Sequence, residues 1–184
     1  MNLKRSKRLV LIMLCSLAWL PACDNAPPVL ANIESEALSY TEDDAATEIT
    51  TTITVSDTDD RKLSAASIQI SNNYQKSEDK LDYNGSPPTG ITVNRNNDTL
   101  TLIGSGKLSD YQSALRAITY RNTNTTAPKT STRTVTITVS DGKNDSESVN
   151  RDIIVKDVND APILDDTKDA LKLEPVSEDA EVPF

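Results

Sequence analysis

An all-β sandwich of about seven strands, with one short helix crossing between its sheets, is predicted by three observations. Short segments alternate apolar and polar residues, as half-buried strands do. Clusters of Asn, Gly, Pro and Asp separate them. A single segment instead repeats its apolar residues at three- and four-residue spacing.

Taken in order, the first strand is Glu48 to Val55, with Ile49, Thr51, Ile53 and Val55 on one face. Shorter strands are predicted over Ser67–Ser71 (Ile68, Ile70 inward), Gly90–Asn94 (Ile91, Val93), Asp98–Ile103 (Leu100, Leu102) and Ala117–Arg121 (Ile118, Tyr120). Thr134–Ser140 points Val135, Ile137 and Val139 inward and Thr136 and Thr138 outward; Val149–Lys156 closes the series with Ile153 and Val155. The helix is read from Leu108, Tyr111, Ala114, Leu115 and Ile118, with Ser109 or Asp110 as N-cap. Turns fall at 84–88, 94–97, 122–129 and Asp141-Gly142, and 72–89 reads as extra length between strands.

The N-terminus reads as an export signal over residues 1–22. Lys4, Arg5, Lys7 and Arg8 form a basic start, and Leu9–Leu20 is an apolar run of 12 residues, shorter than the roughly 20 needed to span a bilayer. Leu20-Pro21-Ala22-Cys23 resembles the lipobox of bacterial lipoproteins, which implies lipidation of Cys23 and a membrane-anchored protein of the bacterial cell envelope. Cleavage of the signal without lipidation is the other reading. Losing 1–22 removes four basic residues and no acid, so the net charge moves from −9 to about −13. Nucleic acid and anionic membrane surfaces are poor partners for such a chain. A surplus of acid suits cation binding, or simple solubility.

With Cys15 inside the signal and Cys23 as the lipid site, the mature chain has no cysteine pair for a disulfide. No histidine is present, which excludes His-based catalysis and His-ligated zinc or copper. No nucleophile elbow, phosphate loop or zinc spacing appears, and the protein is not expected to be an enzyme. The only Trp is Trp19 and the only Phe is Phe184, so a carbohydrate-binding accessory domain would have little aromatic platform.

The start of the unit recurs at its end. Ala26-Pro27 matches Ala161-Pro162, and Thr41-Glu42-Asp43 matches Ser177-Glu178-Asp179, at an offset of about 135 residues. A fixed period indicates a tandem array. The expected organisation is a linker over 23–36, one repeat over 37–160, and the start of a second, truncated repeat over 161–184.

Val135–Gly142, followed by Ile153-Ile-Val-Lys-Asp157-Val-Asn159-Asp160-Ala161-Pro162, resembles the last two strands and linker of a cadherin repeat. Tyr111–Asn122 is similar to the cadherin-like repeats of bacterial surface proteins. The resemblance covers roughly residues 26–162 and implies a Greek-key, immunoglobulin-like fold. It also implies calcium at both ends of the sandwich, stiffening the inter-repeat junction of an adhesion or stalk module with a homophilic or other cell-surface partner. At the downstream end the implied ligands are Glu42, Asp157, Asn159 and Asp160, with Asp110 beside them; at the upstream end they are Asp57, Asp59 and Asp141, with Asp24 and Asn25 standing for the preceding linker. The animal linker has an extra Asn between Asp and Ala-Pro that this chain lacks. Calcium takes about six to eight oxygen ligands, which acids and amides at strand ends supply. For each of these residues a solvated turn acid is the competing reading, and for the whole unit a metal-free structural spacer.

If Cys23 is the lipid site, labelled palmitate enters the parent protein and is lost in Cys23→Ser; no incorporation in the parent refutes the anchor.

Overall fold

A computed structural model describes residues 25–162. The expected export signal over 1–22, Cys23, Asp24 and the expected repeat restart beyond Pro162 lie outside the described residues. Eleven strands and one helix occur among those described. β1 (Val29–Ala31), β2 (Leu38–Thr41), β3 (Thr47–Glu48) and β4 (Thr54–Ser56) precede the long β5 (Lys62–Asn72). β6 (Asp79–Tyr83), β7 (Thr92–Asn96) and β8 (Thr99–Lys107) lead into α1 (Leu108–Arg116), followed by β9 (Ile118–Asn122), β10 (Arg133–Ser140) and β11 (Val149–Lys156).

Three sheets form. The largest has the order β2-β11-β10-β5-β8-β7, a second runs β3-β9-β6, and β1 pairs with β4. All pairings are antiparallel except β11 with β2, which is parallel with Val155 opposite Tyr40. The architecture is all-β, and the sheets close over one core. Ile68, Ile70, Leu100, Leu102, Val135, Ile137 and Val155 come from the six-stranded sheet, and Leu81, Ile118 and Tyr120 from the three-stranded one. Tyr40 and Tyr120 meet edge-to-face across the layers, centroids 5.3 Å apart at 88°, a favoured aromatic arrangement.

Expected strands are present at 67–71, 98–103, 117–121, 134–140 and 149–156, and Gly90–Asn94 is shifted to 92–96. The run 48–55 is not one strand. Glu34 accepts hydrogen bonds from Thr51 N (2.8 Å), Thr51 Oγ1 (3.1 Å) and Thr50 Oγ1 (2.6 Å), and Ile53 N donates to Thr50 Oγ1 (3.2 Å). This kink exposes Thr51 and turns both Ile49 and Ile53 into the core, so the chain leaves the three-stranded sheet at β3 and joins β1 at β4. Burial opposes ionisation of Glu34, yet these hydrogen bonds hold its carboxyl down to about 2. Part of the expected linker 23–36 is thus built into the fold, through β1, buried Leu30 and Glu34.

The helix lies where the spacing placed it and carries the chain from the six-stranded sheet to the three-stranded one. Its cap differs: Lys107 occupies the N-cap position, and Asp110 reaches back to accept Lys107 N at 3.1 Å, the backward half of a capping box. Buried Tyr111 donates its hydroxyl to Gly104 O at 2.6 Å. Gly104 has φ +137°, and a Cβ there would lie 1.9 Å from Gly90 O, so only glycine fits.

β6 was not anticipated, because its inward positions begin with Asp79. That carboxylate is fully buried against Arg133, which is itself 0% exposed. Arg133 Nε lies 3.2 Å from both Asp79 oxygens, and its Nη1 donates to Ser131 O at 2.6 Å and to Lys129 O. Tyr120 donates to Asp79 Oδ1 at 2.6 Å, and Gln75 N to Oδ2 at 2.7 Å. Glu78 adds a longer ion-pair contact to Arg133 at 3.6 Å.

Removing one partner of such a buried pair leaves the other charge uncompensated. Asp79→Ala is expected to cost about 3–5 kcal/mol of unfolding free energy in urea titration, and Asp79→Leu with Arg133→Met together less than the sum of the single changes. A single substitution costing under about 1 kcal/mol would contradict this account.

Candidate metal centre

β5, β8 and β10 fix two opposite ends of the molecule. Lys62, Lys107 and Ser140 lie at one end; Asn72 and Arg133, followed by Lys156 on β11, lie at the other. The chain enters the described fold at the first, upstream tip, where Asn25 and Ala26 bond to Asp141 and Asp59. It leaves at the downstream tip, where Val158 bonds to Glu42.

At the upstream tip, β4 ends and Asp57 turns the chain by accepting Asp59 N at 3.1 Å and Asp60 N at 3.0 Å on one oxygen. This local turn is an Asx type. It brings Asp59 round to accept Ala26 N at 3.1 Å. Asp141 does the same after β10: its Oδ1 accepts Lys143 N (2.6 Å) and Asn144 N (2.8 Å), helped by Gly142 at φ +101°. Its Oδ2 accepts Asn25 Nδ2 at 2.5 Å. Burial works to raise the Asp57 carboxyl, but the N–H groups of Asp60 and Asp59 hold it below the usual range against the nearby Asp141 charge. The N–H of Asn144 leads in holding Asp141 low.

At the downstream tip, Glu42 extends the parallel pairing by donating its N–H to Lys156 O at 2.9 Å. Its Oε2 accepts Val158 N at 3.0 Å, and the residue is only 4% exposed. The Val158 bond favours the charged form, but burial and the adjacent Asp157 and Asp160 carboxylates outweigh it and push Glu42 above the ordinary glutamate range.

The described residues contain three buried side-chain polar atoms without a hydrogen-bond partner: Glu42 Oε1, Asp57 Oδ2 and Arg133 Nη2. The arginine nitrogen lies in its ion pair, 3.2 Å from Asp79 Oδ1. The two carboxylate oxygens sit one at each tip, on residues the sequence offered as calcium ligands. Orphaned anionic oxygen is what a hard cation would satisfy, so the donor chemistry fits calcium. Among the described residues, however, no group of three or more acidic side chains is gathered closely enough to form a ready metal cage.

The sequence-predicted residues therefore divide. Glu42, Asp157 and Asp160 come together downstream, while Asn159 is exposed and bonds only to Asp160 O at 3.2 Å. Asp57, Asp59 and Asp141 share the upstream tip with Asn25. Asp110 does not belong to the downstream group: Leu108 N donates to Arg61 O at 3.4 Å, placing the helix start at the opposite end, where Asp110 caps the helix. Sequence reasoning missed Asp60, Lys143 and Asn144. The acidic run Asp57-Thr-Asp-Asp60 and the turn Asp141-Gly-Lys-Asn144 were the available signals. Compared with known proteins, the chain matches no family model and no curated relative.

Because its folded-state carboxyl is raised, Glu42 favours the folded state most below the ordinary glutamate range, near 4.5, and that contribution fades as pH rises through the raised value. In chelator, Glu42→Gln is expected to flatten this part of the stability–pH curve without lowering stability at neutral pH. A steeper decline with rising pH in the variant would contradict the repulsion.

Proposed function

We propose that this protein is a calcium-binding, cadherin-like module of the bacterial cell envelope, a unit of an adhesive or stalk array held to the membrane through lipid on Cys23. The observation that carries the reading is the unpartnered oxygen of buried Glu42, set beside Asp157 and Asp160 where the chain leaves the fold. Two further features support it. The sheets have the all-β layering that a Greek-key, immunoglobulin-like sandwich requires. The described chain also enters and leaves at opposite ends, as end-to-end repeats need.

The role is mechanical. Glu42, fixed by Val158 N–H and by the β2–β11 pairing, presents one oxygen toward the exit segment. Asp157 and Asp160 bring further negative charge on that segment, and Asn159 adds an amide within the same motif. Calcium, when bound, would neutralise this group and bridge the fold to the following segment. Upstream, Asp57, Asp59 and Asp141 receive the preceding segment through Asn25 and Ala26. A homophilic or other cell-surface contact would then depend on the angle these junctions hold.

A metal-free spacer is the second reading. It draws on the absence, among the described residues, of any group of three acids already gathered for a metal.

A ligand that binds only the folded state stabilises it. At about 10 mM calcium, with dissociation constants of about 10⁻⁴–10⁻³ M, Tm is expected to rise by about 3–10 °C over chelator. Superimposable melts with calcium and with chelator would leave the spacer reading standing.

A further inference from the structure

We propose that the two tips are unequal: Lys143 closes the upstream tip as a built-in counter-ion, and the divalent cation acts at the downstream tip. This rests on the calcium-binding reading above and assigns it to one end.

Asn25 is the one residue with a polar side chain in the described part of the upstream linker motif, and its amide oxygen is the group a cation would draw on there. Lys143 Nζ already takes that oxygen at 2.6 Å and pairs with Asp60 Oδ2 at 3.5 Å. The other end of the same amide donates to Asp141 Oδ2 at 2.5 Å, and Asn144 Nδ2 donates to Asn25 O at 2.6 Å. The incoming chain is thereby fastened by an ammonium and hydrogen bonds, with no metal required. A divalent ion entering would have to displace Lys143 or sit beside its positive charge, which disfavours it.

The downstream tip has the reverse balance. No ion pair involves Glu42, Asp157 or Asp160 among the described residues, so the buried Glu42 Oε1 has no cation paired beside it, whereas the equally unpaired Asp57 Oδ2 shares its tip with Lys143. The offset of about 135 residues aligns Asn25 with Asp160. At this aligned position an amide stands at the tip that has a lysine, and a carboxylate at the tip that has no described ion pair; the preceding position has the reverse order, Asp24 against Asn159.

The test is a calcium titration of the full chain followed by backbone amide resonances. In the parent, Val158 and Asp157 are expected to shift with a dissociation constant of about 10⁻⁴–10⁻³ M, while Gly142 and Asn144 stay still or need about tenfold more calcium. In Lys143→Gln the upstream amides are expected to respond at calcium about tenfold lower than in the parent; Lys143→Arg, which keeps the charge, is expected to behave as the parent. A melt in chelator verifies that each variant is folded. Both tips titrating together in the parent, or upstream amides indifferent to Lys143→Gln, would overturn the inequality while leaving the calcium reading intact. Calcium shifting neither tip would overturn both.

Discussion

The buried ion pair between Arg133 and Asp79 is the constraint on which the rest of the structure depends. A fully buried guanidinium is tolerable only when its donors are met. Asp79, Lys129 O and Ser131 O meet Nε and Nη1, and Nη2 rests in the ion pair with Asp79, so two distant stretches of chain, at 79 and at 129–133, are fixed at once. Asp79 begins β6, Arg133 begins β10, and Tyr120 on β9 donates to the same carboxylate. The pair therefore clamps the three-stranded sheet to the six-stranded one at the downstream end. From Tyr120 the linkage continues to Tyr40 by edge-to-face packing, and Tyr40 bonds to Asn122 O and Asp44 O. Glu42 stands two residues beyond Tyr40. The position of the candidate ligand is thus set by a charge pair it never touches.

Much of this was readable from residue order, but eleven strands replace the expected seven or so: β1 and β2 fall where no strand was expected, and two further failures, β6 and the split of 48–55, share a cause. Val135, Ile137 and Val139 alternating with threonines identify β10 because a Val/Ile face has one place to go. β6 escaped because its inward set is Asp79, Leu81 and Tyr83; an acid at an inward position breaks the pattern unless its arginine, more than 50 residues later, is known to reach it. The run 48–55 was overread for the opposite reason. Its alternation is real, but Glu34 captures Thr50 and Thr51 and folds the run around itself. Both errors come from polar partners remote in sequence, which periodicity does not register.

The acids of the tips were easier to find than their surroundings. The resemblance to a cadherin repeat implied Asp57, Asp59, Asp141, Glu42, Asp157 and Asp160, and the fold places them at two opposite ends. What the resemblance did not supply was sign balance. Lys143 resembles no cation ligand, so a search for ligands passes over it, although it is the residue that distinguishes one tip from the other.

The choice between a turn acid and a metal ligand is less exclusive than it looks, because a carboxylate has two oxygens. Asp57 commits Oδ1 to the N–H groups of Asp59 and Asp60, and Glu42 commits Oε2 to Val158 N. These bonds satisfy backbone donors at the points where strands end and ladder partners run out. Each residue would be kept for that role in a protein that never met calcium. Yet in each the second oxygen is left buried and unpaired. A turn alone gives no reason for that burial, since a rotation toward solvent would relieve it. The second oxygen, rather than the count of acids, is therefore what a turn leaves unexplained at both tips; Lys143 shares the upstream tip with its orphaned oxygen, and no ion pair reaches the downstream acids among the described residues.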